Sequence, residues 1–161
     1  MAAARRGGWV IAATFAAALT LTVIPLPHWL APLRPEWTVL VLIYWCMALP
    51  ERIGVGIGWG VGLLMDVLRA GLMGQHALSF GIIAYITHHL YQRLRVFPLW
   101  QQACSVLVLT ALHLLLMLWV KGITGQPTGS WPYWLPALTS MLLWPPLFVF
   151  LRGLRRHYKI G

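Results

Sequence analysis

A chain of 161 residues with 60% hydrophobic and 9% charged residues, yet a formal net charge of +9, is not an ordinary water-soluble domain, in which about a quarter of the residues are charged. Its basic residues lie in the gaps between apolar runs, so the charge speaks first about membrane topology and argues against nucleic acid as a partner. Cys46 and Cys104 both fall inside apolar runs, a pattern that gives neither a disulfide framework nor a metal site.

In chain order, Arg5 and Arg6 precede a first apolar run over about 9–25. That combination also opens a signal peptide, but Pro25, Leu26, Pro27, His28 and Trp29 follow with no small-x-small cleavage site, so an uncleaved first helix is expected. The second and third runs, 36–49 and 53–68, are short for a hydrocarbon core of ~30 Å that takes roughly 20 helical residues to cross. A re-entrant hairpin turning at Pro50 would place Glu51 and Arg52 near the midplane, where each ion costs at least ~2.5 kcal/mol. Two short crossing helices are therefore expected.

The third run has glycine at every second position, Gly54, Gly56, Gly58, Gly60 and Gly62. An isolated strand cannot leave its backbone unpaired in lipid, so the run is read as a helix. The glycines then form two ridges, Gly54–Gly58–Gly62 and Gly56–Gly60, on roughly opposite sides. Small residues at this spacing let helix backbones approach, which predicts a helix packed on both sides in the middle of a bundle. The first ridge leads to Asp66, the acid inside a span. Such an acid is a functional candidate, but Arg69 one turn later can pair with it at i, i+3. No second carboxylate or nucleophile accompanies it, which is a poor start for catalysis.

The remaining runs cover about 76–92, 99–121 and 133–152. His76, His88, His89 and His113 have no ligand spacing, so no metal and no cofactor are expected. His113 and Asp66 are predicted at different depths, and no serine has a partner arrangement suggesting a nucleophile. Trp29, Trp37, Trp100, Trp131, Tyr133 and Trp134 sit near span ends, as interfacial belt residues do. Pro145 and Pro146 fall mid-span and are expected to bend or break the last helix unless neighbours satisfy the freed carbonyls.

With six crossings and a cytoplasmic N-terminus, Arg5, Arg6, Arg52, Arg93, Arg95, Arg152, Arg155, Arg156 and Lys159 fall inside, and Arg34, Arg69 and Lys121 outside. The positive-inside rule selects this orientation, with both termini cytoplasmic. The basic tail suits membrane lipid headgroups.

Several strings then become recognisable: Arg34-Pro-Glu-Trp-Thr-Val-Leu-Val-Leu-Ile-Tyr-Trp45, Pro50-Glu-Arg-Ile-Gly54, Gly62-Leu-Leu-Met-Asp66, Gly71-Leu-Met-Gly-Gln-His-Ala-Leu78 and Arg93-Leu-Arg-Val-Phe-Pro-Leu-Trp-Gln-Gln102. Together they closely resemble the rod-shape-determining membrane protein family MreD, most strongly over 34–102. The resemblance implies an all-α integral membrane protein, a six-transmembrane-helix bundle similar to the substrate-binding components of energy-coupling-factor transporters, in the bacterial inner membrane. It implies a non-enzymatic scaffold of the cell-wall elongation machinery that binds MreC, with links to MreB, RodA and a class B penicillin-binding transpeptidase. Candidate contact residues are Asp66, Arg69, Gly71, Gly74, Gln75, His76 and Leu78, over the glycine ridges as packing device. Arg34, Trp37, Tyr44, Arg93 and Arg95 are secondary candidates. The rival is a vitamin-type binder, whose outer cavity would draw on Trp37, Asp66 and Trp131.

Overall fold

Where water is out of reach, a segment must satisfy its own backbone hydrogen bonds, and the α-helix does so within one segment. The computed structural model describes residues 8–24, 36–48, 53–69, 74–123 and 134–157. They form six helices: α1 (Gly8–Val23), α2 (Trp37–Ala48), α3 (Val55–Arg69), α4 (Gln75–Val96), α5 (Leu99–Ile123) and α6 (Leu135–His157). The all-helical expectation is met. Two of them are long and apolar enough to cross a bilayer: α5, with a mean hydropathy of 2.3 over Leu99–Val120, and α6, with 1.4.

The centre of the bundle is α2, not α3. Every residue from Thr38 to Ala48 is buried, and α1, α4, α5 and α6 all pack against it. A helix apolar on every side belongs inside, and the unbroken apolar string of α2 has no face suited to anything else. Its Trp45 indole donates to Thr14 Oγ1 of α1 at 3.0 Å. At the other end, Thr22 and Thr38 bring their hydroxyls within 3.3 Å.

Packed chiefly on α4, α3 uses one glycine face. A Cβ on Gly58 would stand 2.9 Å from both the Phe80 carbonyl oxygen and the Ala84 Cβ, and one on Gly62 would overlap the backbone of His76 and Ala77. Gly54, Gly56 and Gly60 have open space where a side chain would go. The expected two-sided packing is thus corrected. Gly58 and Gly62 seat α3 on α4, and the opposite face carries exposed Trp59, Leu64, Val67 and Leu68.

The last helix passes Pro145 and Pro146 without ending, so the pair does not break it. Each proline removes one N–H from the ladder. Packing holds the helix through this gap: Trp144 is fully buried, lies 5.8 Å from the Phe148 ring and donates its indole N–H to Gln102 Oε1 at 3.2 Å.

Within an apolar core several polar side chains are buried, and large apolar ones face outward. Thr22, Thr38, Asp66, His76, Ser79, Thr87, Gln102, Thr110, His113 and Ser140 are buried, while Trp59, Leu64, Val108, Leu115, Leu142 and Phe150 are exposed. In water that arrangement would be unfavourable; against hydrocarbon it is the expected one. The described acids, Glu36 and Asp66, lie at one end of the bundle. Arg93 and Arg95 in the last turn of α4, and Arg155 and Arg156 in that of α6 with Arg152 one turn before, lie at the other.

Because Gly62 meets backbone and Gly60 meets nothing, Gly62→Ala should lower stability by about 1–3 kcal/mol through overpacking, while Gly60→Ala leaves it unchanged or slightly raised. Thermal unfolding of the purified protein in detergent measures both. Equal effects at the two positions would refute this one-sided seating.

Candidate functional site

The acid-bearing end is built around Asp66, one helical turn from the end of α3. An α-helix begins with N–H groups that lack intrahelical acceptors, and a carboxylate there also meets the positive end of the helix dipole. Asp66 fills that role for α4. Its Oδ2 accepts from Gly74 N at 2.8 Å and Ala77 N at 3.4 Å, and its Oδ1 accepts from His76 N at 3.0 Å. The Nδ1 of His76 lies 2.8 Å from the same Oδ1. Gly74 adopts φ +100°, a left-handed backbone that glycine takes without strain. This turn lets α4 start with its first amides aimed back at α3. Asp66 is 1% exposed and His76 4%, so the charge is held by donors rather than by water.

A second layer lies beneath. The His76 ring centroid stands 6.0 Å from that of His113 on α5, and the Phe80 ring 5.4 Å from it. His113 Nδ1 is hydrogen-bonded with Ser79 Oγ, and its Nε2 lies 3.7 Å from Glu36 Oε2. The backbone N–H of Glu36 donates to Ser140 Oγ of α6 at 3.0 Å. One chain of polar groups therefore joins α3, α4, α5 and α6 to the start of α2. It includes Ser79, His113 and Glu36, a serine–histidine–carboxylate set. Ser79 and His113 are 1% and 2% exposed, so a substrate could not reach them without opening the bundle. Among the described residues no group of three or more metal-ligating side chains converges.

Comparison with known proteins decides the family. Residues 4–154 match the family of rod shape-determining protein MreD. The chain belongs to the MreD family. It is 33% identical over 152 residues to Rod shape-determining protein MreD of Haemophilus influenzae (strain ATCC 51907 / DSM 11121 / KW20 / Rd), covering 94% of each chain. No solved structure matches it. Membership ties this MreD homologue to rod-shape determination.

Of the contact residues expected from sequence, Asp66 and His76 are buried partners of each other, Gly74 and Gln75 are half-buried at the head of α4, and Leu78 is 48% exposed. The carboxylate of Asp66 finds partners at the head of α4; the expected pairing with Arg69 falls on a side chain outside the described residues. The Arg69 side chain, Gly71, Arg34 and Trp131 lie outside the described residues. Tyr44 is no surface contact: it is 1% exposed, edge-on to Trp45 at 5.0 Å and to Phe148 at 5.6 Å. Trp37 lines an apolar groove between α1, α2 and α6 whose lining does not include Asp66. The outer cavity needed for a vitamin-type ligand loses its acid, whose oxygens are occupied.

At the opposite end, Arg95 donates to the Met47 and Ala48 carbonyls at 2.9 and 2.8 Å, closing the end of α2, and its guanidinium stands 5.0 Å from the Tyr91 ring centroid. Arg93 is exposed. Nothing in the sequence signalled that Ser79 and His113 meet. Their separation of 34 residues carries no local signal.

Removing the Asp66 side chain strands three backbone donors and a histidine in a dry interior. Asp66→Ala should cost about 3 kcal/mol or more, and Asp66→Asn, which keeps one acceptor oxygen, clearly less. Chemical or thermal denaturation in detergent ranks the two. An alanine variant as stable as the parent would show that the carboxylate does not hold α4.

Proposed function

We propose that this MreD homologue is a non-enzymatic membrane scaffold that maintains rod shape by binding MreC and thereby positioning peptidoglycan synthesis. In this proposal all six helices cross the inner membrane with both termini cytoplasmic. The arginines in the last turns of α4 and α6 then face the cytoplasm, as the positive-inside rule favours. MreB, RodA and a class B penicillin-binding transpeptidase are the further members of the assembly that the family resemblance suggests.

The observation that carries the reading is the division of α3 into two faces. One is locked to α4 through Gly58 and Gly62. The other presents open glycines, Gly56 and Gly60, beside exposed Trp59, Leu64 and Val67. In lipid, helix association draws on close van der Waals packing rather than on hydrophobic burial, and small residues with nothing opposite them offer that packing to an added helix. The transmembrane helix of MreC is the proposed occupant, with Leu78 at the edge of the contact. Asp66 supports the site indirectly by fixing the angle at which α3 meets α4. The internal pairing of Ser79, His113 and Glu36 favours structure over turnover.

Single cysteines placed at Gly56, Gly60, Leu64, Val67 and Leu78 should crosslink to cysteines in the MreC membrane helix with a helical periodicity, while positions 58 and 62 should not. Crosslinking from 58 and 62, or from no position on this face, would remove the assignment. Gly60→Leu should weaken co-purification with MreC without lowering the melting temperature, which separates loss of contact from loss of fold.

A further inference from the structure

The outward faces of the bundle offer lipid unequal apolar heights. On α5 an uncharged face is framed by Trp100 and Trp119, 66% and 60% exposed. They lie nineteen residues apart, about 29 Å along the helix, close to the ~30 Å of an ordinary hydrocarbon core. Tryptophan favours the two edges of that core. On α3 the exposed large apolar residues run only from Val55 to Leu68, about 20 Å. The shortfall lies at the arginine-bearing end. Asp66 joins α3 to the head of α4. The two helices then run side by side, with Gly62 against His76 and Ala77 and Gly58 against Phe80 and Ala84. Because α3 begins at Val55 and α4 continues to Val96, the last turns of α4 project past it. His88 stands one turn beyond Ala84 on the stripe that carries α3, and His88, His89, Gln92 and Arg93 are all exposed. Tyr85, also exposed, meets His89 edge-on at 4.4 Å.

A histidine within a membrane span normally faces the bundle interior or a water-filled cavity, and its ring has no long stem with which to snorkel, as Arg93 can. We propose that the α3–α4 flank thins the bilayer, indenting the leaflet at the arginine-bearing end by roughly 10 Å, so that water and headgroups meet His88 and His89. The α5 flank keeps full thickness. The lipid that the indented surface fits has short acyl chains. The inference rests on the reading in which all six helices cross. Ordinary lipid beside a low apolar face costs free energy that grows with each ångström of mismatch, and short chains lower that cost. A helix docked on α3 displaces the mismatched lipid, so the indentation adds a driving force at the surface proposed for MreC.

The test uses the full chain in oleoyl phosphatidylcholine bilayers with one spin label, whose collisions with oxygen report lipid and with a water-soluble nickel complex report water. The reference is Cys104, an exposed native cysteine. The turn from α4 into α5 at Phe97 and Pro98 sets it at about the depth of His89, on the α5 flank. The buried Cys46 takes no label. In a Cys104→Ser chain, His89→Cys and Gln92→Cys carry the label instead, the second keeping both histidines. The nickel-to-oxygen ratio at 89 and 92 should exceed that at 104 by about tenfold, as a hydrated depth differs from hydrocarbon. Native mass spectrometry of the unaltered protein from mixed myristoleoyl and oleoyl phosphatidylcholine should show the shorter lipid retained about threefold over the longer. Oxygen-dominated collisions at 89, 92 and 104 alike would overturn the proposal, since the bilayer is then evenly thick. Labels at 89 and 92 shielded from both reagents would overturn it in favour of a second copy of the chain covering the patch. No preference for the shorter lipid would also overturn it. Nickel-dominated collisions at 104 would instead refute the crossing of α5, and with it the reading on which the inference rests.

Discussion

One buried carboxylate answers two physical demands together. A helix starting inside a bundle leaves several N–H groups without acceptors, and a charge removed from water needs donors on every side. Asp66 and the first turn of α4 supply each other, over distances of 2.8 to 3.4 Å. The closure ties the end of α3 to the start of α4 and sets the angle at which Gly58 and Gly62 meet Phe80, Ala84 and Ala77. Displacing it would leave donors unpaired in a medium that offers no substitute.

From that closure the polar interior continues through His76, His113, Ser79, Glu36 and Ser140, so that hydrogen bonds, ring and charge contacts join α3, α4, α5 and α6 at this end, where Thr22 and Thr38 also join α1 to α2. Membrane helices gain little from hiding apolar surface from one another, and interhelical polar contacts help hold the arrangement. The opposite end is built differently. There Arg95 closes α2 and Gln102 links α4 to α6, while the arginines bring positive charge to the helix ends. A bundle with a neutralised acidic end and a basic opposite end has a defined direction. That direction suits the scaffold role proposed for this MreD homologue.

Much of this was legible in the chain. Unbroken apolar strings announced helices, since no other single segment satisfies its backbone in lipid, and the basic residues marked the gaps. The resemblance over residues 34–102 pointed to the right family. The glycine ridges were legible only in part. Their spacing told that α3 approaches a neighbour closely, but both ridges have the same composition, and only Gly58 and Gly62 find α4 opposite them. Likewise, the donors that the head of α4 supplies to Asp66 had no local signal, because a left-handed turn at Gly74 brings them to the carboxylate from beyond the end of α3.

What the sequence determined by itself was the class of the molecule: an all-helical chain whose apolar runs suit lipid, because composition and charge spacing are local properties. Tertiary structure decided which helix is central, which glycine face is occupied and which polar side chains meet. Tyr44 and Asp66 passed from surface candidates to buried supports, and Ser79 met His113. Burial and pairing depend on what lies across the interface, and in a chain apolar on nearly every face, residue order carries little record of that.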